Sequence, residues 1–250
     1  MISNLVSPNT SADQLNNFNI PQSLSNIKIL QNIIKDETVY SCVAVGSVQF
    51  FTEPGKPTFS IVAKPTSSEI YKYLDEYLEE AISLNYKHFV VFNGANDSKG
   101  EQGTTETTSN WVFLRSKEAL YKSLITIQCI GLAPYERKDM DAIWKEEQNI
   151  TSNKTFITGR SSKDRQIILG NLATKANKIL VCEGAYGTLN ELITIYRGKP
   201  SIFNEVSFVI QFINSAFLIN TVIPTELKKQ KNIDSDTIAE LHKLVPLLIM

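Results

Sequence analysis

The turn "EGAYGT", residues 183–188, combines an acid, two glycines and a threonine between two different hydrophobic patterns. The apolar run "ILVC" before it is typical of a short buried strand, and the apolar residues after it recur at helical spacing. A helix start has unpaired N–H groups and the positive end of the helix dipole, and glycine lets a ligand approach the backbone. The turn therefore predicts an anion site, with phosphate as the usual ligand.

Two further loops follow predicted strands with similar residue types. Gly46 and Ser47 end the strand "VYSCVAV", and Asn93 and Gly94 end the strand "HFVVFNG" before a polar loop that runs to about residue 108. Small residues with hydroxyls or amides suit a phosphate or ribose site, and carboxyl ends of parallel strands share one edge of a sheet. For these two loops, a plain turn between strand and helix stays open as the alternative.

These loops need a scaffold in which strands and helices alternate. A helix at residues 66–84 follows the first strand, and Thr66 and Glu69 have the spacing of a capping box at its start. The strand at 88–94, a helix through residue 120 and the strand "ITIQCIGLAP" come next, and a polar stretch at about 136–153 precedes a helix at 160–176. The order predicts an α/β fold with a largely parallel sheet covered by helices.

The ends of the chain differ from this alternating region. Residues 1–37 are rich in Asn, Ser and Gln, which predicts a loosely held extension or a capping arm, and the main domain is expected at residues 38–230. After Pro200 we expect a strand at "SIFN" and a helix at "SFVIQFINSAFLI". Residues 231–250 are expected to end the chain with a helix.

Composition excludes several functional classes. The 250 residues are 42% hydrophobic and 20% charged, as in ordinary globular proteins, and the net charge of −1 gives no general attraction to nucleic acid. No apolar run is long enough to span a membrane, and the polar N-terminus lacks a secretory pattern. We therefore expect a cytoplasmic protein without membrane contact.

Cysteine and histidine do not form a metal-binding pattern. Cys42, Cys129 and Cys182 are odd in number, widely spaced and set in apolar runs, which indicates reduced thiols in the core. His88 and His242 have no cysteine or acid at ligand spacing and are expected to be structural. The sequence predicts no metal site, no catalytic cysteine and no cofactor.

The turn also carries a resemblance to a known family. "EGAYGTLNE" resembles the "PGGxGTxxE" signature of the LOG phosphoribohydrolases, and "DRQIILGNLATKANKILVCEG" is similar to a segment of the Smf/DprA proteins. The two groups belong to the SLOG superfamily. The resemblance extends over roughly residues 38–205 and is specific at 160–200, with further similarity at "VAVGS" and "CIGLAP".

The resemblance implies a Rossmann-like fold with helices on both faces of the sheet, a nucleotide bound at the glycine turn, and a homodimer. It also implies hydrolysis of the N-glycosidic bond of a nucleoside 5′-monophosphate, with Glu191 and Arg165 as catalytic residues and Arg160 as a competing match for the arginine. The expected nucleotide-binding residues are Gly46, Ser47, Gly94, Arg160, Glu183, Gly184, Ala185, Tyr186, Gly187 and Thr188.

Departures from the family pattern keep other functions open. Glu183 and Ala185 stand where the LOG signature has proline and glycine, and "NGANDSKGEQG" lacks the compact glycine run of the family's second loop. Glu183 would repel a 5′-phosphate unless Arg165, Arg160 or Lys163 compensates. The alternatives are a LOG-like hydrolase and a non-catalytic module that binds or senses a nucleotide derivative. A single-strand DNA binder like Smf/DprA is a third class, which the near-neutral charge disfavours.

Overall fold

The computed structural model describes most of the chain. The described residues are 20–46, 51–53, 56–57, 64–94, 103–134, 153–159, 161–203, 210–213, 218–228, 235–236, 238–240 and 242–243. Ser47, Arg160, residues 1–19 and the loop at 95–102, which belong to the segments interpreted above, lie outside these ranges.

Strands and helices alternate along the described chain, beginning with a helix. The first half contains α1 (Ile20–Lys35), β1 (Val39–Val45), β2 (Phe51–Glu53), β3 (Lys56–Pro57), α2 (Lys64–Ser83), β4 (His88–Gly94), α3 (Thr104–Arg115) and α4 (Ala119–Lys122). The second half contains β5 (Thr126–Ala133), β6 (Asn153–Ile157), α5 (Ser162–Ala173), β7 (Lys178–Cys182), α6 (Tyr186–Gly198), a 3-10 turn (Pro200–Phe203), β8 (Ile210–Ile213), a π-helical turn (Leu218–Val222) and α7 (Ile223–Lys228).

Six of these strands form one parallel sheet in the order β6-β5-β4-β1-β7-β8. From β1 the chain moves outward through β4 and β5 to β6, and it then returns to β7 on the other side of β1. The connections that leave β1 and β7 therefore diverge, which defines the switch point where α/β sheets bind ligands. The short strands β2 and β3 pair separately and antiparallel. The predicted Rossmann-like α/β fold is confirmed.

Side chains of the central strands alternate between two hydrophobic cores on opposite faces of the sheet. One core, called here the α2 face, includes Leu74 of α2 and Trp111 of α3. The other, called here the α5 face, includes Leu30 of α1, Leu169 of α5 and Leu189 of α6. The strands between these helices are buried on both sides, so both cores fix the position of the strand ends.

The first helix belongs to this core. Leu30 and Ile34 of α1 are buried on the α5 face. Residues 20–35 are therefore not the loosely held extension that composition suggested, and the alternative of a capping arm describes them better. The reason is that a few apolar side chains at helical spacing are enough to anchor a helix that is otherwise polar.

Four assignments differ from the sequence prediction. The polar stretch before α5 ends in an edge strand, β6, which pairs only with β5. After α6, residues 201–203 of the predicted strand belong to a 3-10 turn, and Ile210–Ile213, predicted as helix, is strand β8. Helix α2 begins at Lys64, so Thr66 lies inside its first turn and is not its cap. The described residues between 235 and 243 are helical, as predicted.

The three cysteines are free and buried, as predicted. Burial raises the pKa of Cys182 to about 12, so this thiol stays protonated and unreactive near neutral pH. Within the described ranges, no group of three or more His, Cys, Asp or Glu side chains is placed to hold a metal ion. In the same ranges, no helix has the length and apolar character to cross a bilayer.

Candidate functional site at the switch point

The carboxyl ends of β4, β1 and β7 bring the three predicted loops to one edge of the sheet. Gly94 ends β4, Gly46 follows β1 and Glu183 follows β7, and β1 lies between the other two strands. Helices α3 and α6 start directly after two of these loops. The switch point therefore has small residues, hydroxyls and two helix N-termini around it.

The glycine turn is closely packed against the helix that it starts. A Cβ atom at residue 184 would lie 2.6 Å from Thr188 Cβ, so glycine is the residue that fits at this position. Ala185 is the N-cap residue of α6 and no side chain caps that helix. Thr188 is buried, and its Oγ1 has no hydrogen-bond partner among the described residues. The first turn of α6 thus offers backbone N–H groups and one hydroxyl to a ligand.

Arg165 and Glu191 meet across the interface between α5 and α6. The distance between Arg165 Nη2 and Glu191 Oε1 is 3.6 Å, with side chains 15% and 3% exposed. Glu191 lies on the second turn of α6, one turn beyond Gly187 and Thr188. In the described part of the chain, Glu191 Oε2 and Arg165 Nε have no hydrogen-bond partner. The pair is therefore incompletely satisfied, with one carboxylate oxygen and one guanidinium N–H left over.

Burial dominates the acid–base behaviour of Glu191. Loss of hydration raises the pKa of this carboxyl to about 7, although the positive charge of Arg165 acts in the opposite direction. A carboxyl with this pKa is populated in both protonation states near neutral pH. Such a group can take up or release a proton, or hold a negative charge next to a developing cation.

Two features hold Arg165 in place. Ser161 caps α5: its Oγ accepts a hydrogen bond from Asp164 N at 3.2 Å, and its own N–H donates to Asp164 Oδ2 at 3.0 Å. This capping box fixes the first turn of the helix that carries Arg165. The guanidinium then lies against the end of β4, where a side chain at Gly94 would overlap Nη1 and come within 2.9 Å of Cζ.

The start of α3 lies within the polar loop that the sequence analysis extended to about residue 108, but its threonines were not among the expected site residues. A side chain at Gly46 would overlap Thr104 Oγ1, and Thr105 Oγ1 donates a hydrogen bond to the carbonyl of Gly94. Asn93 Nδ2 donates to Thr108 Oγ1 at 2.8 Å. The polar run "GTTETT" that starts α3 was the available signal, because hydroxyl residues often begin helices.

Glu183 occupies the position directly after β7 and is 1% exposed. It lies in the bend between β7 and the start of α6. Tyr186, by contrast, is 46% exposed at the start of α6, where its ring is accessible. Gly187 lies beside Gln166, since a side chain there would come 3.0 Å from Gln166 Nε2.

Of the expected site residues, the structure brings together Gly46, Gly94, Arg165, Glu183, Gly184, Ala185, Gly187, Thr188 and Glu191, with Tyr186 at the rim. Ser47 and Arg160 lie outside the described residues. Of the two candidate arginines, Arg165 is the one that the structure places against Glu191.

Comparison with known proteins shows a distant structural similarity. No protein-family model matches the chain, and no curated protein sequence matches it. The X-ray structure of TM1055, a Northeast Structural Genomics Consortium target, is 19% identical to this chain. The structural match covers 63% of this chain and 69% of the TM1055 chain, with a TM-score of 0.34. The functional argument below therefore depends on the site itself.

Proposed function

We propose that the protein hydrolyses the N-glycosidic bond of a nucleoside 5′-monophosphate or a related ribosyl compound. The observation that carries the proposal is the buried Glu191, whose Oε2 has no hydrogen-bond partner among the described residues and which lies next to Arg165 at the carboxyl edge of the sheet. Burying a carboxylate costs free energy, and a catalytic site is a common reason for a protein to keep one.

The chemistry follows from the charge that develops during glycoside cleavage. The bond between C1′ and the base nitrogen breaks, water oxygen adds to C1′, and the departing nitrogen takes up a proton. The ribosyl group becomes positively charged in the transition state, and a nearby carboxylate stabilises that charge. Glu191 has this role in the proposal. Arg165 orients the carboxylate and is placed to contact the departing base or a phosphate.

The resemblance to the LOG signature supports the same assignment. Glu191 is the final glutamate of "EGAYGTLNE" and lies one turn beyond the glycine turn, beside the arginine that matches the family's upstream arginine. The resemblance also implies a homodimer, which we retain as part of the proposal. Light scattering at micromolar concentration tests it, since a dimer has twice the 28.0 kDa mass of the chain.

A second candidate is a non-catalytic module that binds a nucleotide derivative. The favouring observation is that Arg165 packs on Gly94 and pairs with Glu191, an arrangement that a purely structural contact between α5 and α6 also explains. The altered residues Glu183 and Ala185 point in the same direction. This candidate predicts ligand binding without product.

Release of free base separates the two candidates. The purified protein is incubated with AMP, GMP, CMP, UMP, their ribosides and NAD, and free base is measured by chromatography. A hydrolase releases base, and Glu191→Ala abolishes that release. Release that persists in Glu191→Ala comes from a contaminant. Absence of base combined with a ligand-dependent rise in melting temperature supports the binding module instead.

A further inference from the structure

Helices α5 and α6 approach each other closely at Gly170, a buried residue in the interior of α5. Glycine inside a helix lowers stability relative to alanine, because it loses more backbone entropy on folding. A Cβ atom at residue 170 would lie 2.7 Å from Thr194 Cβ and 3.0 Å from the backbone carbonyl oxygen of Glu191. The missing side chain of Gly170 is therefore what lets α6 lie this close to α5.

Glu191 consequently lies against α5 with two parts of the residue. Its carboxylate pairs with Arg165, where Nη2 and Oε1 are 3.6 Å apart, and its backbone carbonyl lies against Gly170. Gly170 follows Arg165 by five residues on the same helix. The separation of the two helix backbones at Gly170 thus sets how near the Glu191 carboxylate lies to the guanidinium.

We infer, on the basis of the proposed function, that Gly170 is a positioning residue for the reaction, because its missing side chain keeps Glu191 within reach of Arg165. A methyl group at residue 170 would meet a Cβ atom and a backbone oxygen, and neither moves by rotation of a side chain. Carbon atoms pack at about 3.5–4.0 Å, so the helices would have to separate by about 1 Å. A displacement of about 1 Å at a reacting centre costs up to about 100-fold in rate.

Gly198 provides a contrast in the same pair of helices. A Cβ atom at residue 198 would lie 2.7 Å from Thr174 Cγ2 but 3.7 Å from Thr174 Cβ. The first contact is with a methyl group, which rotation about χ1 moves away, and the second is an ordinary van der Waals distance. Gly198→Ala therefore adds the same methyl group between α5 and α6 without separating the helices, and it is the matched control for Gly170→Ala.

The test measures kcat for base release, using the compound of the panel above that wild-type protein hydrolyses fastest and a temperature at which the variants are folded. Gly170→Ala is expected to lower kcat by about 10- to 100-fold. Gly198→Ala should stay within about threefold of wild type. A purely structural role of Gly170 predicts lower stability with an unchanged kcat of the folded protein, and that result overturns the inference.

A compensating substitution on α6 tests the same contact from the other side. Gly170→Ala combined with Thr194→Gly moves the methyl group from one helix to the other and removes the 2.7 Å contact between the two Cβ atoms. The double variant is expected to return kcat to within about threefold of Thr194→Gly alone. A loss of kcat that Thr194→Gly does not reverse rejects the inference.

A second measurement does not depend on hydrolysis. The coupling free energy between Arg165 and Glu191 is obtained by urea unfolding from a double-mutant cycle of Arg165→Met and Glu191→Gln. The coupling should be present in wild type and in Gly198→Ala. It should be at least about halved in Gly170→Ala, because a wider gap admits water between the two charges.

This cycle decides the inference if no compound is hydrolysed, an outcome in which the proposed function fails by itself. Absence of coupling in wild type, or equal coupling in Gly170→Ala, rejects the inference. If Gly170→Ala alone does not fold, the double variant with Thr194→Gly takes its place. That variant must fold and have the coupling of wild type, and failure on either count contradicts the positioning role.

Discussion

At the scale of single residues, the Arg165–Glu191 pair is the feature that most needs explanation. A buried ion pair is weak evidence for stability, since removing two charges from water costs about as much as their attraction returns. The 3.6 Å between Nη2 and Oε1 exceeds a charge-assisted hydrogen bond, and Oε2 has no hydrogen-bond partner in the described part of the chain, so the pair is an inefficient structural contact. Its cost should therefore be measurable, and its geometry should matter for turnover.

The raised pKa of Glu191 predicts how stability depends on pH. Between pH 4.5, the ordinary value, and pH 7, the folded protein holds a proton that the unfolded chain has lost. This favourable contribution is complete below pH 4.5 and is lost as pH rises through about 7. The free energy of unfolding of Glu191→Gln minus that of wild type should increase by about 3 kcal/mol between pH 4.5 and pH 8.

Urea unfolding at the two pH values measures this difference. The exposed acid Glu79 supplies the control, because Glu79→Gln also replaces one carboxylate by an amide, but at a position in solvent on α2. A difference for Glu191→Gln that does not change with pH contradicts the assignment of a raised pKa to Glu191.

Gly94 is predicted to be important because it leaves room for the Arg165 guanidinium. In Gly94→Ala the new methyl group overlaps Nη1, the end of a flexible side chain, so the arginine moves and the strand does not. We expect base release to fall about tenfold or more, since small displacements at a reacting centre are costly. Unfolding free energy should fall by less than about 2 kcal/mol.

The control for this prediction is Gly198→Ala at the far end of α6. Its methyl group would come 2.7 Å from Thr174 Cγ2, so it also strains the packing of α6 without touching the site. Turnover by folded Gly198→Ala should match wild type. Full activity in Gly94→Ala would mean that the position of Arg165 is unimportant for the reaction.

The contact between Arg165 and Glu191 shows what local sequence patterns miss at this scale. The two residues lie on different helices with a strand between them, so no helical or strand spacing places them together. Their pairing was predicted only from the resemblance to a family signature. The burial of Glu191 was also not predictable from local sequence, because an acid on an amphipathic helix is usually exposed.

At the scale of elements, the central strands were predictable and the sheet edges were not. Strands β1, β4, β5 and β7 are mostly apolar, as expected for strands buried on both faces. Edge strand β6 has the polar sequence "NKTFI" and one neighbour, so its pairing depends on β5 rather than on its own pattern. The apolar run around β8 is compatible with a buried helix or with a strand. Its residues form a strand because they pair with β7.

The capping box at the start of α5 gives a prediction at this scale. Ser161→Ala removes the Oγ that accepts from Asp164 N, and the free energy of unfolding should fall by about 1 kcal/mol. Ser162→Ala is the matched control, because Ser162 is the exposed neighbouring residue and should change stability by less than about 0.5 kcal/mol. Equal effects of the two substitutions in urea unfolding would show that the cap contributes nothing.

At the scale of the whole molecule, the order of the sheet creates the site. Because β1 is flanked by β4 and β7, elements far apart in sequence end at one edge, and the two cores hold them there. Helix α1 completes the core on the α5 face. The fold and the candidate site are therefore stabilised by a helix that composition assigned to an extension.

Leu30 tests whether α1 is part of the cooperative domain. Its side chain is fully buried, so Leu30→Ala should lower the free energy of unfolding by about 2–5 kcal/mol. Leu24 on the same helix is 62% exposed, and Leu24→Ala should change the free energy of unfolding by less than about 0.5 kcal/mol. A Leu30→Ala variant as stable as wild type in urea would show that α1 unfolds independently of the sheet.

The most direct test of the central claim compares turnover and binding in Glu191→Gln, using the compound that wild-type protein hydrolyses best. The carboxylate matters mainly when positive charge develops on the ribosyl group, so base release should fall by about 100-fold or more. The dissociation constant of the same compound, measured by calorimetry, should stay within about threefold of the wild-type value. Unchanged base release, or equal losses of binding and turnover, would contradict a catalytic role for Glu191.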